Sequence, residues 1–252
     1  RNIQTRSSIM ELMNKKFDNV LDQFAKELEE IYQIFAAKKD APPLNKGSPP
    51  IAGSIAWSRS LFQRLKKSVL KFQNNSTILT SASGKNVSAR YIEIGREMRD
   101  YERSKYVTWK ENAEQGIMPV LKMTVLKEAV FEGKDAAVEA TAGDAPGEQT
   151  DRKKKSHMHY QVNMPQELLD IIRETKYLDR LGFDIPELPM NVTLQESKFL
   201  DYCEILQGIC ERYDSIVCNL EKQEQQLLSA KIEVLRTEMS PGVRYINWSS
   251  LS

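Results

Sequence analysis

The residues of this 252-residue sequence that could do chemistry are few, and their spacing works against them. His157 and His159 stand two apart with no cysteine near them in sequence, and they read as exposed loop-edge side chains rather than metal ligands. A phosphate-cradling loop needs a glycine five residues before its Gly-Lys pair and a hydroxyl after it. Around Gly84-Lys85 those places hold Leu79 and Asn86, and around Gly133-Lys134 they hold Glu128 and Asp135. No G-x-G-x-x-G, G-x-S-x-G or H-E-x-x-H pattern occurs. Carboxylates are plentiful, but none is singled out by an apolar setting that would tune it for acid–base work. Cys203, Cys210 and Cys218 fall in one helical stretch. The first two would lie roughly 10 Å apart along a helix axis, too far to bridge, so the three read as free thiols of a reducing compartment. No catalytic, metal or cofactor site is expected. What remains is charge: Arg59, Arg64, Lys66, Lys67 and Lys71 crowd one segment. They form either a solvated face or a docking strip for an acidic partner, with Arg64, Lys66, Lys67 and Lys71 as the candidates to face it. The run Arg152 to Lys155 reads as solvation of a polar tip.

Composition narrows the classes further. Lys and Arg number 36 against 35 Asp and Glu, a net charge of +1. That balance removes the electrostatic case for a dedicated nucleic-acid or anionic-membrane binder. Only 11 glycines and 10 prolines punctuate the chain, which favours long helices over a sandwich or barrel. No run of 18 apolar residues is present. The opening RNIQTRSS has neither an initiator Met nor an apolar signal core, so the sequence reads as a piece of something longer.

The elements follow from periodicity. Met10, Met13, Phe17, Val20, Phe24, Leu28, Ile31 and Phe35 recur every three or four residues and predict a helix over 8–38. The proline-rich stretch 40–50 ends it. A second helix is expected over 51–73 and a third over 87–127, the latter kinked by Gly116 and Pro119. Strand-like pieces on either side of the polar stretch 132–157 predict a small β-hairpin near 125–164, with 132–157 as a flexible insertion. Pro165 and Gly182 bracket a helix over 165–182. The strongest period runs Phe199, Cys203, Leu206, Cys210, Tyr213, Val217, Leu220, Glu224, Leu227, Lys231 and Val234, a heptad seam with two charged defects that predicts one helix over 192–239. Tyr202, Ile205, Ile209, Ile216 and Leu228 widen its apolar face, as in a helix that packs against two neighbours. That helix should stop near Ser240-Pro241-Gly242, with VRYINW extended after it. The fold class is mainly α, an elongated series of helical bundles, with one bundle in 1–131 and another in 158–252.

Four stretches carry a resemblance. SPPIAGSIAWSRSL, residues 48–61, resembles the signature of the first N-terminal tail region of dynein heavy chains, with Pro49, Pro50, Gly53, Trp57, Arg59 and Leu61 in the matching places. Tyr101-Glu102 with Tyr106 and Trp109 is similar to that region's aromatic helix. VNMPQELLDIIRETKYLDRLGFDIPE, residues 162–187, is similar to a further family segment, with Met164 where Phe is usual. SPGVRYINWSS, residues 240–250, resembles a segment that ends in Trp248. The pieces occur in the family's order, and the LDRLG-x-x-IPE wording resembles axonemal chains more than the cytoplasmic one. The resemblance as a whole is to an axonemal, outer-arm type.

The resemblance implies a tail of helical bundles joined to a distant ring motor that hydrolyses ATP with Mg and walks on microtubules, with none of the motor in this sequence. It implies intermediate chains, light chains and other heavy chains as partners, the doublet microtubule through the assembled arm, and no nucleic acid or membrane. The compartment implied is the cytoplasm and the axoneme of a cilium. Read by residue chemistry, the signature has a structural job: Pro50 sets a helix entry, Gly53 admits a close neighbour, Trp57 buries a ring and Arg59 pairs with a carboxylate on an adjacent helix. The alternatives are the tail of a cytoplasmic or intraflagellar dynein, or a free-standing spectrin-like scaffold, which would need internal repeats that the sequence lacks.

Overall fold

The computed structural model describes residues 2–71, 76–132 and 156–251. They form helices and one antiparallel hairpin, gathered in two compact units. The first unit comprises Arg1–Glu114 with Arg173–Pro186, and the second Gln115–Ile172 with Glu187–Ser252.

In the first unit, helix α1 (Asn2–Lys38) is 37 residues, about 55 Å long. Leu21, which the predicted stripe does not include, is buried, and the stripe itself is buried only from Phe24 onward, through Leu28, Ile31 and Phe35. Those side chains pack with Leu61 and Leu65 of α2 (Pro50–Leu70) and with Ile94 and Met98 of α4 (Ala82–Leu121). Met10, Met13 and Val20 of the same stripe stay exposed. Helix α2 ends at Leu70, so Phe72 and Gln73 of the expected 51–73 helix lie outside the described residues. After the one-turn α3 (Ser76–Leu79), α4 begins five residues before the expected Val87. Ser81 starts it by accepting from the Gly84 amide at 3.0 Å, a capping position that apolar spacing does not reveal. It runs on through Gly116 and Pro119 to Leu121 rather than to Lys127.

The second unit is built around β1 (Leu126–Glu132) and β2 (Ser156–Val162), paired from Leu126 opposite Val162 to Glu132 opposite Ser156. The hairpin therefore lies where the flanking strand patterns put it, while residues 133–155 of the expected flexible insertion, the Arg152–Lys155 run included, lie outside the described residues. Leu168 and Ile172 of α5 (Gln166–Arg180), Val192 of α6 (Glu187–Leu194), and Phe199, Cys210, Tyr213 and Val217 of α7 (Glu196–Cys218) close the core with Tyr160 and Trp248.

The single helix expected over 192–239 is corrected to α6, α7, α8 (Lys222–Leu227) and α9 (Ser229–Arg244). The reason sits in one of the two charged defects of the seam. Glu224 reaches back to the Glu221 amide at 2.9 Å while the Glu221 side chain accepts from the Glu224 backbone, a capping box that starts α8. Beyond it the seam loses its burial, with Leu227 at 84% exposure and Val234 at 57%. The second stripe is covered only in part: Tyr202 and Leu228 pack against the core, while Ile205, Ile209 and Ile216 are exposed. The stop expected at Ser240-Pro241-Gly242 is also overturned, because α9 carries Pro241 inside it and ends at Arg244. Gly242 stays helical and buried, and a Cβ there would come within 2.7 Å of a Leu126 methyl. Of the extended VRYINW, only an isolated bridge from Asn247 to Thr124 forms, and Trp248–Leu251 makes the short α10.

Candidate functional site

The signature residues of 48–61 converge on one cluster within the first unit. Pro49 is extended and buried, Pro50 takes the first helical position, and neither supplies a side chain to cap α2. The cap comes from α5 instead. Glu174, only 5% exposed, accepts from the Ile51 amide at 2.7 Å and the Ala52 amide at 2.9 Å. A carboxylate there satisfies two orphan donors and faces the positive end of the helix. Gly53 accommodates the chain's own preceding loop, since an added Cβ would lie 3.1 Å from a Leu44 methyl and 3.2 Å from Ser48 Cβ.

One turn on, half-buried Trp57 stacks on Phe35 at 5.9 Å, and Phe35 meets Tyr101 edge-on at 5.4 Å. Arg59 is the hub. Its Nε donates to Glu102 at 3.0 Å, its Nη1 donates to the Leu181 carbonyl at 2.6 Å, and its guanidinium lies 5.1 Å from the Phe183 ring centre. Glu102 is thus the carboxylate on an adjacent helix that Arg59 was expected to find. Phe183 stacks on Tyr106 at 4.6 Å, and the Tyr106 hydroxyl donates to the Asp184 carbonyl. The loop itself is set by Gly182 at φ +81°, where Gly182 and Phe183 donate to Asp179 and Leu178 and close α5 with a Schellman motif. Leu61 and Trp109 are buried at 4% and 5% exposure.

Trp248 does a parallel job in the second unit. It is fully buried, its Nε1 donates to the Asn163 carbonyl at 2.9 Å, and it meets Phe199 edge-on at 6.2 Å. Asn163 in turn donates to the carbonyls of Thr124 and Val125, so the end of β2, the entry to β1 and the Trp248 ring are pinned together.

The candidate cations divide. Arg64, Lys66 and Lys67 are exposed, whereas Lys71 lies 3.7 Å from Glu27, which also accepts from Ser68. On the helix, Arg64, Lys67 and Lys71 share one flank of α2 and Lys66 lies on the other. Among the described residues, no three of His, Cys, Asp and Glu are placed to hold a metal ion. His159 Nδ1 meets Asp214 at 2.9 Å beside a cavity of about 340 Å³ that Cys210 also lines, but the side chain of His157 lies outside the described residues. Burial pushes the Cys210 thiol up, as it does Cys203 and Cys218, which holds it protonated and a poor nucleophile. All three cysteines are free. The contacts of the signature residues brace helix against helix within the first unit and strand against ring within the second.

Sequence reasoning missed Glu174, Phe183 and Asn163, although each lies in or beside the stretch 162–187 quoted for the resemblance. The available signal was a carboxylate between Ile171 and Leu178 on the edge of an apolar arc, where a buried charge needs donors.

The family profile described as "Dynein heavy chain, N-terminal region 1" matches residues 1–252. The human protein named dynein axonemal heavy chain 10 is 37% identical over 92% of this chain. The Chlamydomonas reinhardtii dynein-1-alpha heavy chain of the flagellar inner arm I1 complex is 32% identical over 100%. The same alga's dynein gamma chain of the flagellar outer arm is 22% identical over 99%. The chain spans about 5% of the length of these curated relatives.

Proposed function

We propose a role from one premise: this chain belongs to the dynein heavy chain family, within its N-terminal region 1. The role is that of a non-catalytic tail segment of an axonemal dynein heavy chain. It assembles heavy, intermediate and light chains and helps anchor a microtubule-based, ATP-driven motor to the ciliary axoneme. The observation that carries this reading is the match of 92% and 100% of the chain to about 5% of the length of heavy chains from human and an alga. ATP and Mg belong, by the same reading, to the motor of the parent chain.

The signature residues support an assembly scaffold through what they touch. Pro49, Pro50, Gly53, Trp57, Arg59, Leu61 and Trp109 are engaged inside the first unit, and Trp248 inside the second. We read them as bracing, and the exposed Arg64, Lys66 and Lys67, with Lys71, as partner-facing. Crosslinking with mass spectrometry on isolated arms tests the assembly reading. Links from Lys66, Lys67 or Lys71 to an intermediate chain or a sibling heavy chain are expected. Links confined to this segment would contradict it.

A further inference from the structure

Helix α2 carries Arg59, Arg64, Lys66 and Lys67 and no acidic residue at all, within a chain whose net charge is only +1. Its flank toward α4 presents Arg59, Gln63, Lys66 and Leu70, spaced four, three and four, which is one stripe of a helix. Helix α4 presents Ile92, Arg96, Arg99 and Arg103 at the same spacings. The two stripes run antiparallel, because Arg59 meets Glu102 while Phe62 meets Gly95. Between them lies a cavity of about 260 Å³ floored by Phe62, Gly95 and Met98. Gly95 is what lets the Phe62 ring lie down as that floor, since a Cβ there would sit 3.1 Å from Phe62 Cε2. Ile92 and Leu70, on the stripes of the same two helices, stand exposed at 57% and 49%.

The electrostatics of the groove are one-sided. Glu102, the carboxylate in its lining, already accepts from Arg59. Among the described residues, Lys66, Arg96, Arg99 and Arg103 are exposed and form no ion pair. A short apolar floor of Phe62, Gly95 and Met98 with cations on both flanking helices is the complement of a helix that has an apolar anchor on one face and carboxylates beside it. A nucleic acid would use the cations but leave the exposed Ile92 and Leu70 uncovered. We propose that the α2–α4 groove of the first unit takes an acidic amphipathic helix contributed by a partner subunit. The proposal rests on the assembly reading above and gives one partner its chemistry.

The test uses the full-length heavy chain in its complex, with a photo-crosslinking amino acid at position 66 or 99. After irradiation of the isolated complex, the joined peptide is sequenced. The expected product is a segment of another subunit, net negative, with apolar residues at helical spacing. No product, a product internal to the heavy chain, a neutral or basic peptide, or an adduct with nucleic acid or lipid would overturn the proposal. In a second measurement, the combined Lys66→Glu, Arg96→Glu and Arg99→Glu variant should retain the joined subunit at least tenfold less at low salt. The control Lys15→Glu with Lys16→Glu should retain it as wild type does. Equal retention in both variants overturns the groove while leaving crosslinks from other lysines, and so the assembly reading, in place.

Discussion

Glu174 caps a helix 122 residues away in sequence, and that contact explains why two prolines can open α2 with no Ser, Thr or Asp to cap it. Glu174→Ala should leave two amides of α2 without their acceptor and cost about 2–3 kcal/mol, while Glu174→Gln, which keeps one acceptor oxygen, should cost less. The tryptophans should rank by burial. Trp248→Ala removes a fully enclosed ring and should cost about 3–5 kcal/mol, and Trp57→Ala, half-buried, should cost less. Urea unfolding of both variants checks the order; an equal loss would contradict the reading of Trp57 as a partly exposed stacking partner. Burial pushes the Tyr160 phenol up, so the folded state holds that proton longer than the unfolded chain. Its contribution is fully present below a pH of about 10 and is lost as pH rises through the folded value. Tyr160→Phe should therefore flatten the alkaline limb of the stability profile, which a pH series of melting curves reads directly.

At the scale of elements, Gly84 is the sharpest case. The sequence offers it as half of a failed phosphate loop, but its position is dictated by the α3–α4 corner. An added Cβ would lie 2.3 Å from the Ile78 carbonyl oxygen and 2.7 Å from Leu79 Cα, both backbone atoms that cannot turn aside. Gly84→Ala should force the corner apart and raise hydrogen exchange at the α4 start, where the Gly84 amide donates to Ser81; unchanged protection there would contradict this. The hairpin and the main span of each long helix were legible because apolar spacing reports which face is buried. Breaks were not, because a seam can keep its spacing across a helix end. Glu224 looked like a defect in a heptad and is a capping residue, and Pro241 looked like a stop and sits inside α9. The site was half legible: Arg59 wanting a carboxylate follows from its charge, while Glu174 and Phe183 reach it only through tertiary packing.

For the whole molecule, charge that balances in sum is uneven in placement, and the acid-free α2 is where a partner would read it. In the proposed role these residues assemble a motor and do none of its chemistry. The most direct measurement takes the full-length heavy chain carrying Arg59→Ala with Glu174→Ala, and reads ATP turnover per ring together with subunit stoichiometry of the purified complex. Basal turnover should be unchanged and the complex depleted of intermediate and light chains. Turnover lost while every subunit stays in place would contradict that role.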